Sequence, residues 1–246
     1  MKKSTGKTRN AATKKRPGGR KAVRPRRNWR ETKDAKRARV ADIVARLHDE
    51  YPDAKISLDF RNPYELLVAT ILSAQCTDER VNMVTPALFR RFPAVEDLAA
   101  AEPAAVEKLI RPTGFFRNKT KSLLGMANAI ADRHGGHVPG TMNALVQLPG
   151  VGRKTANVLL GNAFGIDEGI VVDTHVTRLS KRLGLTRQTD AVKIEQDLIR
   201  IVARGEWTDI AHLFIHHGRA VCRAPTPRCR VCVLADICPS ANPAYG

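Results

Sequence analysis

The stretch Leu148-Pro149-Gly150-Val151-Gly152-Arg153-Lys154-Thr155-Ala156 decides how the rest of the chain is read. Upstream, Ala144, Leu145 and Leu148 recur at helical spacing, so a short helix is predicted to end near Leu148. Pro149 and Gly150 break it. Gly152 then opens a second helix whose apolar face is Ala156, Val158, Leu159 and Leu160. Two helices joined by such a glycine turn form a helix-hairpin-helix. Gly150 and Gly152 let the backbone approach a ligand closely, and amides at a helix N-terminus favour a phosphate through hydrogen bonds and dipole together. This is a grip for a DNA backbone, indifferent to base sequence.

Lys154 adds chemistry to the grip. It falls in the first turn of the second helix, where the positive end of the dipole favours the neutral, nucleophilic amine. Asp173, within Val171-Val172-Asp173-Thr174-His175, is placed to face the hairpin across the turn Gly165 to Gly169. An amine beside a carboxylate suits attack on a sugar C1′, with the acid stabilising positive charge or relaying protons. On the two residues alone a blander reading is the commoner one, in which Lys154 touches phosphate and Asp173 caps a helix.

Charge separates the chain into unequal parts. Residues 1–30 carry thirteen of its Lys and Arg and no acid, so of the net +18 only +5 is left for the remaining residues. The first 31 residues are expected to be a disordered basic tail, too poor in apolar side chains to fold alone, and suited to a non-specific arm on nucleic acid. They hold no apolar run, so neither a secretory signal nor a membrane anchor is expected there. Hydrophobic residues at 43% of the chain are enough for a buried globular core in the rest.

Outside the hairpin the apolar periodicity is helical throughout. Val40, Ile43, Val44 and Leu47 share one face of a first helix running from Thr32 to about Glu50. Asn62-Pro63-Tyr64-Glu65 starts the next with a capping Asn, Pro at the first position and Glu three residues after the cap. Its continuation, Leu66 to Leu72, is apolar all round and predicts a central, buried helix that delivers Gln75, Cys76 and Asp78 to a helix boundary. Cys76 reads as a small buried residue. Further helices are predicted over Glu79 to Arg91, Val95 to Ala100, Pro103 to Ile110, Lys119 to Arg133, Val176 to Leu183, Ala191 to Ala203 and Thr208 to Ala220. Pro112-Thr113-Gly114 turns the chain and leaves Phe115 and Phe116 in the open, either as a wedge for a duplex or as a staple for the helix that follows. Lys119 and Lys121 stand close behind as candidates for phosphate contacts. The fold class is therefore all-α in two helical lobes flanking a DNA-binding cleft. A central lobe spans 60–170, and a second combines 32–59 with 171–246. Lys154 is expected on one wall of the cleft and Asp173 on the other.

The C-terminus carries Cys222, Cys229, Cys232 and Cys238 in the pattern C-x6-C-x2-C-x5-C. Four thiolates so close together, without a secretion signal, argue for metal over disulfides. The spacing alone admits zinc and an iron–sulfur cluster equally. Arg219, Arg223, Arg228 and Arg230 surround the cysteines as cations for phosphate.

Leu148 to Asn157, Val172-Asp173-Thr174-His175, Leu72-Ser73-Ala74-Gln75-Cys76-Thr77-Asp78 and the four-cysteine array, in that combination, resemble the endonuclease III family of helix-hairpin-helix DNA glycosylases. The resemblance covers about residues 35–240. It implies a 4Fe–4S cluster on Cys222, Cys229, Cys232 and Cys238. It implies catalysis by Lys154 and Asp173, and DNA contacts from Gln75, Asp78, Phe115, Lys119, Leu148, Gly150, Gly152, Arg153, Thr174 and His175. Gln75 would probe the space left by an extruded base, and Phe115 would be the wedge, where relatives often carry leucine. The implied function is a bifunctional DNA glycosylase and AP lyase of base excision repair, acting on double-stranded DNA with oxidised pyrimidines or abasic sites. A monomer in the cytoplasm, associated with a bacterial nucleoid, is expected. Adenine-specific relatives lack the lysine and carry glutamate where this chain has Ile71. The related 8-oxoguanine glycosylase lacks the cysteine loop. A non-catalytic helix-hairpin-helix DNA-binding protein is the alternative from another class.

Overall fold

The computed structural model describes residues 31–242, 244 and 245. The basic tail of the sequence reading lies outside them but for Glu31. Among the described residues there are eleven α-helices and no strand: α1 Lys33–Glu50, α2 Pro63–Leu72, α3 Asp78–Arg91, α4 Val95–Ala99, α5 Pro103–Ile110, α6 Phe116–His134, α7 Met142–Leu145, α8 Arg153–Phe164, α9 Thr174–Arg182, α10 Ala191–Ile199 and α11 Trp207–Ala220. A 3-10 turn, Arg111–Thr113, joins α5 to α6.

Local chemistry fixes the helix starts. Thr32 caps α1 by accepting from the Ala35 amide at 3.1 Å, and Asn62 caps α2 by accepting from the Glu65 amide at 2.9 Å. Glu65 is buried among apolar residues yet satisfied, because Arg61 wraps it with its guanidinium and its own backbone amide. A buried carboxylate without such partners would be costly. Thr77, Asp173 and Asp190 cap α3, α9 and α10 in the same way.

The buried side chains form two separate cores. One gathers Leu66, Leu67 and Leu72 of α2 with Leu88, Leu98, Ile110, Leu123, Met126, Ile130, Leu159 and Leu160, and lies wholly within residues 58–160. The other joins Val40, Ile43, Val44 and Leu47 of α1 to Ile170, Val176, Leu179, Leu198, Leu213 and Phe214. The chain thus starts in the second core, leaves it for the first, and returns after Gly169. Burying a leucine-sized side chain contributes about 1.5–3 kcal/mol, so α1 is held to α11 by four such anchors although the intervening chain belongs to the other core. Helix α2 is surrounded as its continuous apolar pattern requires, packing on α3, α6 and α8.

Four expectations need correction. Helix α6 begins at Phe116, not Lys119, because Gly114 and Phe115 both take positive φ (69° and 47°) and complete the turn earlier. Only Phe115 stands in the open. Phe116 packs on the first core, with the guanidiniums of Arg111 and Arg117 against its ring at 5.8 and 5.5 Å. Helix α10 ends at Ile199, three residues after which Val202 turns into the second core. Cys76 is half-buried, at the edge of the first core.

Candidate active site

Where the two cores meet, a cleft of about 360 Å³ opens. Its walls include Thr70, Gln75 and Asp78 beside the end of α2, Lys154, Thr155, Val158 and Asn162 of α8, Asp173 at the start of α9, and Thr208, His212, Ile215 and Arg219 of α11. Lys154 and Asp173 thus reach one cleft from opposite cores.

The hairpin places the lysine. Gly150 has φ 78°, and a Cβ there would lie 2.7 Å from the Ser122 Cβ on α6, so both conformation and packing demand glycine. Gly152 is different. Its φ is −95° and a Cβ would meet nothing within 4 Å. It forms the N-cap of α8, and no side chain caps that end. Lys154 follows in the first turn and is exposed. Leu148 is 3% exposed, so its side chain belongs to the core and not to a DNA surface. Arg153 is exposed and ion-paired: its Nε and Nη2 donate to Glu195 of α10 at 3.0 and 2.9 Å, across the seam between the cores. Glu195 also accepts from Asn157 Nδ2 at 3.0 Å.

Asp173 is the N-cap of α9, its Oδ1 accepting from the Val176 amide at 2.8 Å. It is half-buried and lines the cleft while it caps. Thr174 is exposed beside it. His175 receives Nη2 of Arg178 on its Nδ1 at 3.1 Å. Burial lowers the His175 pKa, Asp173 opposing and Arg178 and Arg219 assisting. On the facing wall Asp78 accepts from Nη2 of Arg219 at 3.1 Å, while Nη1 reaches Ser57 Oγ at 3.1 Å. That ion pair again links the two cores.

Gln75 and Phe115 share an unusual backbone. They are the two non-glycine residues with positive φ among those described, at 53° and 47°, and such conformations cost about 1–3 kcal/mol each unless the surroundings impose them. Phe115 is 62% exposed, and Gln75 is exposed as well. Lys119 does not reach the surface. Its Nζ lies 2.8 Å from the Leu72 carbonyl and 2.8 Å from that of Thr113, and burial lowers its pKa. Its amine is turned to these carbonyls and is not presented to a phosphate, contrary to the expectation from sequence.

The four cysteines are half-buried between α9, α11 and the C-terminal segment. Burial pushes the Cys232 thiol up to about 11, with Cys222, Cys238 and Cys229 adding to the push. Arg182, the last residue of α9, donates to Cys222 Sγ at 3.3 Å and to the carbonyls of Cys222 and Arg223 at 3.2 and 2.8 Å. His217, its pKa lowered to about 4 by burial, bridges Tyr51 Oη (3.0 Å) and Cys232 Sγ (3.3 Å). Arg223, Arg228 and Arg230 are exposed around this loop.

Sequence reasoning missed the α11 wall. His212 is buried with Nε2 2.8 Å from Asn162 Oδ1, and burial lowers its pKa to about 4. The signal was present: Thr208, Ala211, His212, Ile215 and Arg219 recur at helical spacing and form one mixed face.

A hairpin whose lysine shares a cleft with a capping aspartate, in an all-helical two-core frame, defines a class. The profile of the HhH-GPD superfamily base excision DNA repair proteins matches residues 68–204, and the chain belongs to this superfamily. Within it the chain is similar to endonuclease III. That of Synechocystis sp. is 53% identical over 208 residues, covering 85% of this chain and 95% of the relative. That of Bacillus subtilis is 44% identical over 194 residues, covering 78% and 88%. A solved trapped endonuclease III–DNA covalent intermediate is 39% identical and superposes with a TM-score of 0.78, over 83% of this chain and 96% of that one. No helix among the described residues is long and apolar enough to cross a membrane.

Proposed function

We propose that this protein is a bifunctional DNA glycosylase and AP lyase of base excision repair, acting on double-stranded DNA that carries oxidised pyrimidines or abasic sites. The observation that carries the reading is the meeting of Lys154 and Asp173 on one cleft from two different cores. Similarity to endonuclease III supports the reaction class.

Chemistry on a base needs it out of the stack, at a cost of a few kcal/mol that is smallest for damaged pairs. Gln75 and Phe115, exposed on strained turns, hold the gap. Gly152, which has no steric partner inside the chain, leaves room for a phosphate to approach the uncapped amides of α8. Lys154 Nζ attacks C1′ as the bond to the base breaks, and Asp173 stabilises the positive charge that develops on the sugar. The ring opens to a Schiff base on Nζ. Loss of a C2′ proton then expels the 3′ phosphate by β-elimination, cutting the strand 3′ to the lesion. An activated water in place of the amine would stop at base removal.

The cysteine loop fits a 4Fe–4S cluster held by Cys222, Cys229, Cys232 and Cys238. Hydrogen bonds from Arg182 and His217 to sulfur suit cluster thiolates. The cluster would hold the loop in shape, with Arg223, Arg228 and Arg230 facing phosphate.

Borohydride reduction during incubation with abasic DNA tests the reading. A covalent protein–DNA adduct is expected. Abasic DNA bound but never trapped would favour the non-catalytic DNA-binding alternative.

A further inference from the structure

Gln75 and Phe115 come from separate elements, 40 positions apart in sequence, yet both depart from ordinary backbone in the same way. The α2 helix ends at Leu72, three residues before Gln75, and the 3-10 turn ends at Thr113, two residues before Phe115. The buried amine of Lys119 donates to both of these terminal carbonyls, each at 2.8 Å. A helix C-terminus is the negative end of its dipole, so one cation satisfies two helical ends at once. The Lys119 amide closes the circuit by donating to the Phe115 carbonyl at 3.1 Å.

We infer that Lys119 is a positioning residue that couples the two duplex-opening side chains. Its amine ties the end of α2 to the end of the 3-10 turn, and so sets the spacing of Gln75 and Phe115 and holds both in left-handed backbone. The inference rests on the assignment of those two residues to the opened duplex. Lys119 touches neither Lys154 nor Asp173, and its amine is turned away from solvent. Its effect should therefore fall on opening the duplex and not on the chemistry that follows.

The test compares two substrates under single turnover. One is an oxidised pyrimidine paired in a duplex, which must be extruded. The other is an abasic site in a single-stranded oligonucleotide, which needs Lys154 but opens no pair. Lys119→Met keeps length and stem while removing the donors. It should slow excision from the duplex by about tenfold or more and leave single-strand cutting within about twofold. A 2-aminopurine opposite the lesion should brighten more slowly in the variant as the pair opens. Should Lys119→Met not fold, Lys119→Gln retains one donor group and should give a smaller loss of the same selective kind. Equal losses on both substrates would reduce Lys119 to a structural residue, and no loss on either would overturn the coupling. Gln75→Ala and Phe115→Ala are run beside it. If neither impairs duplex excision, the assignment of the two side chains is wrong. If they impair it selectively and the Lys119 variants do not, that assignment stands and the coupling falls.

Discussion

Arg153 and Glu195 form a forked ion pair across the seam between the two cores, with both nitrogen–oxygen distances at or below 3.0 Å. The carboxylate is almost fully buried and Arg153 about half so. The pair fixes the residue next to Lys154 to a helix of the opposite core. It also explains Gly169: a Cβ there would lie 2.1 Å from Glu195 Oε1 and 2.7 Å from Asn157 Nδ2. Glu195→Ala strands a buried amide and unpairs the guanidinium, at about 1–3 kcal/mol. For a protein of this size that should lower Tm by roughly 2–12 °C. Gly169→Ala should destabilise through the same hub. An unchanged Tm in both variants would show that the seam tolerates loss of the pair.

Lys154→Gln removes the amine from an exposed position of α8 and touches no core contact. Borohydride trapping and strand cutting should vanish, while affinity for abasic DNA stays within about tenfold, or 1.4 kcal/mol. Trapping that persists in the variant would assign the nucleophile to a different amine.

Asp173→Asn separates the two duties of one side chain. Asn is as good an N-cap as Asp, so the bond from the Val176 amide survives and Tm should move little. Base excision should nevertheless fall by about 10²-fold or more, because the charge opposite the developing cation is gone. Normal turnover with Asn would leave Asp173 with capping alone.

Much of this was legible in the sequence because local rules and tertiary packing agree. Asn62-Pro63 starts α2 and Thr32 caps α1 as their side-chain chemistry dictates, and the continuous apolar run of α2 is buried on all sides. The placing of Lys154 and Asp173 on one cleft was legible from the hairpin turn and the capping position. The partners of Lys119 and Arg153 stayed hidden for one reason: a cation near a DNA-binding motif reads as a phosphate contact until its partner is known. Those partners, Leu72 and Thr113 for one and Glu195 for the other, are distant or irregular in sequence and leave no periodic trace. His212 escaped for a related reason. A histidine on an apolar helix face is ordinarily a satisfied core residue, and only its meeting with Asn162 at the cleft distinguishes it.

The cysteine loop and the Asp173 wall of the cleft share one helix. Asp173 caps the start of α9, and nine residues later Arg182 ends it with a guanidinium that donates to Cys222 Sγ, to the carbonyls of Cys222 and Arg223 and, at 3.4 Å, to that of Pro225. Purified protein should be yellow-brown and contain about four iron and four sulfide per chain if the loop holds a 4Fe–4S cluster. Arg182→Ala leaves all four thiolates in place and withdraws the clamp on the loop between Cys222 and Cys229. The variant should assemble the cluster yet lose it faster to a chelator or to air, followed as decay of the visible absorbance. Second-sphere hydrogen bonds of this kind commonly change metal retention by about 10–100-fold. While the cluster remains, trapping through Lys154 should proceed at nearly the normal rate, since Arg182 is not among the residues lining the cleft. As it is lost, affinity for DNA should fall, because Arg223, Arg228 and Arg230 ride on the loop. Stoichiometric zinc without iron in anaerobically prepared protein would refute the cluster, and cluster decay identical to that of the unmodified chain would refute the clamp.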